Sequence, residues 1–124
     1  MKIYLGSFDN MEYYNKKGLF IISIATQAPE GYEGYKEPLF APSVDLDRKW
    51  REAQITKEEF EKAYLEGLNE EVIKWWVDNY DNVFGDKEVI MLSHAPSGKY
   101  SHRNALANYL DEHFDIEVDE LLPV

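Results

Sequence analysis

The sequence predicts an α/β domain in which a short central sheet is flanked by helices in a small three-layer arrangement. Three observations carry this expectation. Residues 19–25 read Leu-Phe-Ile-Ile-Ser-Ile-Ala, and residues 87–93 read Lys-Glu-Val-Ile-Met-Leu-Ser. Both are short, nearly unbroken apolar runs rich in branched side chains, the pattern of a strand covered on two faces. Between them, Thr56-Lys57-Glu58-Glu59 is a capping box: the Thr hydroxyl accepts from the third helical amide and the Glu reaches back. Phe60, Tyr64 and Leu68 follow at a spacing of four, one stripe of a helix.

The remaining elements follow in chain order. Residues 1–5 read as a first strand, and residues 8–17 as a short helix with Met11 and Tyr14 on its apolar side and Gly18 at its end. Residues 19–25 and 89–92 are expected to be neighbouring central strands. Residues 26–43 hold Pro29, Pro38, Pro42, Gly31 and Gly34, interleaved with Tyr32, Tyr35 and Phe40. Breakers at that density predict a long loop, and compact domains keep loops of that length mostly for function. Its aromatics suit either covering the sheet or stacking on a ring. Ser43 caps the next helix, with Asp45 and Asp47 at the positive end of its dipole and Val44, Leu46 and Trp50 as its apolar residues.

Residues 70–84 predict a single helix with Val72, Trp76, Tyr80 and Val83 on one face and Gly85 as its stop. Trp75 and Trp76 are adjacent and cannot share that face, so one belongs to the core and the other marks a surface. Residues 94–100 form a loop with Pro96 and Gly98. Ser101 opens the last helix, with Ala105, Leu106, Tyr109 and Leu110 on its buried side, and residues 115–119 suit an edge strand.

The chain has 124 residues, 44% of them hydrophobic, which is material for one core and one domain spanning residues 1–124. No apolar run approaches the ~20 residues of a membrane-spanning helix. The first residues read as a strand and not as a signal peptide, so a cytoplasmic location is expected. The chain has no Cys, which excludes a disulfide framework, a thiolate nucleophile and a Cys-ligated zinc site.

The formal net charge is −11. The first 40 residues are near balance, with 4 basic and 5 acidic side chains, while residues 41–84 carry 6 and 11 and residues 85–124 carry 3 and 8. Such a surface disfavours nucleic acid and anionic membranes and attracts a basic protein. The stretch 111–120 holds six acids and no Lys or Arg.

The densest polar cluster is Ser93, His94, Ser97, Lys99, Ser101, His102 and Arg103, between a buried strand and a helix start. Ligands of open α/β sheets bind at the carboxyl ends of strands. A helix N-terminus favours an anion, and Arg103, partly exposed in its first turn, would add a two-pronged contact. Ser93, His94, Ser97, Ser101, His102 and Arg103 are therefore the candidate ligand-binding residues; caps and local ion pairs would use the same residue types. Ser97 and Arg103 also stand at the six-residue offset of a phosphatase loop with Ser in the place of Cys. No base is evident for that Ser, so no catalytic residue is assigned. His94 and His102 lack a third ligand at a metal-site spacing, and neither a metal nor a cofactor is expected. The carboxylate pairs Glu58-Glu59 and Glu70-Glu71 fall at helix N-termini, where they complement the dipole.

Taken in order, several short motifs resemble the YeaO-like family, domain of unknown function family 488. They are Ala41-Pro42-Ser43 with Leu46; Ile55-Thr56-Lys57-Glu58-Glu59-Phe60 with Tyr64 and Leu68; Val89-Ile90-Met91-Leu92-Ser93; and His102-Arg103 with Leu106-Ala107 and Tyr109-Leu110. The resemblance implies a compact three-layer α/β fold and leaves the biochemical role open. Many members carry an Arg soon after the second strand, where this chain has Ala25-Thr26-Gln27-Ala28-Pro29. Where many carry Cys, it has Ser93-His94 and Ser101.

Two functions are expected from these readings. The first is binding of an anionic small molecule or nucleotide between the aromatic loop and the turn at residues 93–103. The second is a non-enzymatic acidic protein that binds or inhibits a basic, nucleic-acid-handling partner.

Overall fold

A computed structural model describes residues 1–123. Five parallel strands form one sheet: β1 (Ile3–Ser7), β2 (Phe20–Ser23), β3 (Tyr35–Lys36), β4 (Val89–Ser93) and β5 (Val118–Glu120), in the spatial order β3-β2-β4-β1-β5. Among the described residues six α-helices accompany them: α1 (Met11–Lys16), α2 (Val44–Arg51), α3 (Lys57–Glu66), α4 (Glu70–Asp78), α5 (Tyr80–Phe84) and α6 (His102–Phe114).

β4 is the middle strand, and all five of its residues are buried. It runs parallel to β2 in the register Phe20↔Val89 to Ser23↔Leu92, and to β1 in the register Ile3↔Val89 to Ser7↔Ser93. The two strongest apolar runs are thus neighbours, as expected.

Alternation along β4 sends its side chains to two different layers. Val89 and Met91 join the larger core, with Ile73, Trp76, Tyr80, Phe84, Leu106 and Leu110 from the later helices. Ile90 and Leu92 join a smaller core with Tyr14 of α1. The domain is therefore an α/β layered structure with unequal outer layers. On the thin side, Gly6 of β1 lies directly under the Tyr14 ring, which leaves no room for a Cβ. The Tyr14 hydroxyl donates to the Leu121 carbonyl at 3.0 Å and ties the chain's last strand to that layer.

The helix expected over residues 70–84 is interrupted. Asn79 leaves helical geometry and separates α4 from α5. The buried face is Ile73, Trp76, Tyr80 and Phe84, while Val72 and Val83 are exposed, which corrects the expected face. The residue one position on from each Val is the larger or more central apolar group, and helical spacing admits either stripe. Trp76 is the core tryptophan and Trp75 is 62% exposed.

The aromatic loop also contains more structure than its breakers suggest. Tyr35–Lys36 adds a short strand beside β2, and Pro38–Phe40 makes one turn of 3-10 helix. The Tyr64 hydroxyl donates to the Phe40 carbonyl at 2.7 Å and anchors the loop to α3. The Thr26 hydroxyl bonds the Pro42 carbonyl at 2.9 Å and closes the loop on itself. Among the described residues, no helix is long and apolar enough to cross a membrane.

Candidate functional site

Beyond the carboxyl ends of β2 and β4 the structure has a cavity of about 590 Å³. Residues 25–30 form one wall, Asp47, Trp50 and Arg51 of α2 another, and Phe60, Ser93, His94, Ala95, Ser101 and His102 complete it. This is the position where open parallel sheets bind ligands, and its volume suits a small organic molecule. Trp50 and Phe60 stack on each other, with centroids 4.8 Å apart, and give that side a rigid aromatic surface. Arg51 is held to Asp47 by an ion pair at 2.9 Å.

The sequence-predicted residues divide into two groups. Ser93, His94, Ser101 and His102 line the cavity. Ser97 and Arg103 do not. The Ser97 hydroxyl accepts from Asn10 Nδ2 at 2.9 Å, on the far side of the turn.

Arg103 is 0% exposed, which corrects the expectation of an exposed anion contact. Its guanidinium is the hub on which the turn is wrapped. Nη1 donates to Ser93 Oγ at 2.6 Å and to the Ala95 carbonyl at 2.8 Å. Nη2 donates to the Pro96 carbonyl at 2.8 Å and to the Lys99 carbonyl at 3.3 Å, and lies 3.5 Å from Glu120 Oε1. Only Nε lacks a partner among the described residues. The same Glu120 oxygen accepts from the Gly98 amide at 2.9 Å. The anion of this turn is therefore the protein's own Glu120 carboxylate. Burial pulls the Arg103 pKa down and the Glu120 charge opposes that pull. An Arg starting from so high a value keeps its proton.

The helix terminus is likewise occupied. Ser101 and Asn104 form a capping box: the Ser101 hydroxyl accepts from helix amides, including that of Arg103 at 3.2 Å, and Asn104 Oδ1 accepts from the Ser101 amide at 2.9 Å. Amides used in this way are not free for a ligand.

At the inner end, uncharged side chains face the cavity and the Arg103 charge lies behind them. Ser93 Oγ and Ser101 Oγ are 3.0 Å apart. His102 is 7% exposed, and its Nε2 lies 2.6 Å from the Ile24 carbonyl. A carbonyl only accepts, so Nε2 carries the proton. Burial lowers the His102 pKa to about 4; the Ile24 carbonyl and Asp47 oppose the shift, and Arg103 and His94 add to it. The ring is neutral at pH 7. His94 is exposed, with Nε2 at 2.6 Å from the Gln27 carbonyl and its ring 5.0 Å from that of Phe8. Among the described residues no three His, Asp or Glu side chains come together as a metal site.

Sequence reasoning did not place Asp47, Trp50, Arg51 and Phe60 at the site. The available signal was the spacing of 47, 50 and 51, which puts the three α2 residues on one helical face. Compared with family models, curated proteins and solved structures, the chain matches none.

Proposed function

We propose that this domain binds an anionic small molecule of the nucleotide class in the cavity beyond β2 and β4. The observation that carries the reading is the lining itself: an aromatic wall, a few buried polar groups at the inner end, and Arg51 as the cation among the lining residues near α2. Pockets that orient small molecules combine an apolar body with a small number of fixed polar groups. A phosphate would compete with Asp47 for Arg51, while the ring meets Trp50 and the loop of residues 25–30. The resemblance to the YeaO-like family supports the same fold-level reading and adds no ligand. We assign no reaction.

Titration of uridine monophosphate into the protein, followed by amide NMR, tests the reading. The expected result is movement of the amides of residues 25–30, 93–95 and 101–102. Arg51→Ala should weaken the nucleotide several-fold and leave uridine unchanged. Lining amides that stay still at millimolar nucleotide overturn the proposal.

A second reading has its own observation. A groove of about 480 Å³ between α3 and α6 is lined by Leu65, Leu68 and Ala105 together with Glu61, Glu66, Glu70 and Glu112. This arrangement fits a basic, amphipathic segment of a protein partner. Binding of a Lys- and Leu-rich helical peptide there should weaken steeply with salt; salt-insensitive binding, or none, removes this reading.

A further inference from the structure

The inner end of the cavity can be followed proton by proton. Ser101 Oγ accepts helix amides through its capping box, so its own proton goes to Ser93 Oγ, 3.0 Å away. Ser93 Oγ then accepts twice, from Ser101 and from Arg103 Nη1 at 2.6 Å. Its two lone pairs are used, and its proton has no acceptor among the described residues. The guanidinium contact draws electron density from this hydroxyl and makes it a stronger donor. Ser93 is 2% exposed and lines the cavity.

His102 supplies the complement. Its Nε2–H is committed to the Ile24 carbonyl, and Nδ1 has no hydrogen bond among the described residues. Arg103 follows it in the chain and the Tyr64 ring packs against it at 5.4 Å, while Asp47 and His94 are the other ionisable groups that act on it. Nδ1 is a bare acceptor. The residues lining the inner end therefore include one free donor and one free acceptor.

Resting on the pocket reading above, we infer that Ser93 and His102 recognise a neutral amide-type edge, a C=O beside an N–H, such as a nucleobase carries. The C=O accepts from the Ser93 hydroxyl and the N–H donates to His102 Nδ1. A carboxylate or phosphate at the same place has only acceptors and would set an oxygen lone pair against the Nδ1 lone pair. The anionic end of a nucleotide accordingly points outward, toward Arg51.

The test compares three probes built on one benzoyl group on the wild-type protein: benzamide, benzoate and N,N-dimethylbenzamide. Benzamide has both halves of the edge, benzoate has two acceptors, and the dimethyl amide keeps the acceptor and loses the donor. At pH 7.5 benzamide should move the amides of residues 93–95 and 101–102, and the other two should bind roughly tenfold or more weakly, because each leaves a buried polar group unpaired. Long-range proton–nitrogen spectra of His102 should show the Nε2–H tautomer in the free protein and a shift at Nδ1 with benzamide. Benzoate or the dimethyl amide binding as well as benzamide, or an Nδ1 signal that does not move, overturns the edge assignment while the pocket reading stands. If no probe, and no nucleotide, moves any lining amide, both fall.

Discussion

At the start of α3 the Thr56 hydroxyl accepts from the Glu59 amide at 3.1 Å, and Glu59 returns to the Thr56 amide at 2.9 Å. At the start of α6 Ser101 and Asn104 make the same reciprocal pair. The first box is exposed, and its reciprocal bonds join only Thr56 and Glu59. In the second, the Ser101 hydroxyl is buried, joined to Ser93 and set beside the Arg103 hub, at the inner end of the cavity. The same local device thus has one duty in α3 and two in α6. What separates them is burial, which turns a cap hydroxyl into a member of a polar network whose every hydrogen bond matters.

The sharpest way to break this comparison is to remove the hub. Arg103→Ala leaves the carbonyls of Ala95, Pro96 and Lys99 without this donor and Glu120 with the Gly98 amide alone, and should cost about 3–5 kcal/mol or prevent folding, as loss of one partner of a buried charge does. Chemical denaturation measures it; a loss under about 1 kcal/mol would show that the guanidinium does not organise the turn.

The next effect is a pH dependence specific to the α6 end. His102 titrates near 4 in the folded chain, against an ordinary value of 6.5. Below pH 6.5 the unfolded chain takes up a proton that the folded chain refuses. Stability is therefore fully present above 6.5 and is lost as pH falls toward 4, by roughly 3 kcal/mol across that window. His102→Gln should flatten this part of the stability profile relative to wild type. An unchanged slope in the variant would mean that His102 is charged in the fold.

Ser101→Ala comes third, at about 1–3 kcal/mol, since it removes a cap and also one of the two donors to Ser93 Oγ. The amides of residues 93–95 should move in the spectrum of this variant. Thr56→Ala should cost about 1 kcal/mol and leave those amides in place, because only a cap is lost. Equal costs for the two, with no change at residues 93–95, would erase the distinction between the boxes.

The smallest effect is at Glu59. The Thr56 amide, and then its hydroxyl, hold this carboxyl below its ordinary value of 4.5. The sign is that of a depressed acid: its contribution is present above 4.5 and disappears as pH falls through the lower folded value. Glu59→Gln should remove that small acid-side dependence and leave the His102 window intact, which pH-dependent melting resolves.

The sequence by itself determined the elements whose cause is local. The runs at 19–25 and 89–93 became β2 and β4 because uninterrupted apolar side chains have to be covered on both faces. Ser43, Thr56 and Ser101 cap helices because their hydroxyls reach amides two or three residues on, a distance set by the chain alone. Choices among equivalent local options belonged to the tertiary structure. Whether Val72 and Val83 or Ile73 and Phe84 faced inward was decided by the sheet they meet, since both stripes satisfy the helical period.

The site followed the same division. That Ser93, His94, Ser101 and His102 gather at one cavity after β4 was legible from a polar cluster between a strand and a helix. The fate of Arg103 was not. A guanidinium near a helix start serves a ligand or the backbone equally well by residue type, and the decision lay with Glu120, seventeen positions on, which β5 brings to the turn as its resident anion. Asp47, Trp50, Arg51 and Phe60 reached the cavity by the same kind of long-range packing, which places α2 and α3 over the ends of strands far from them in sequence.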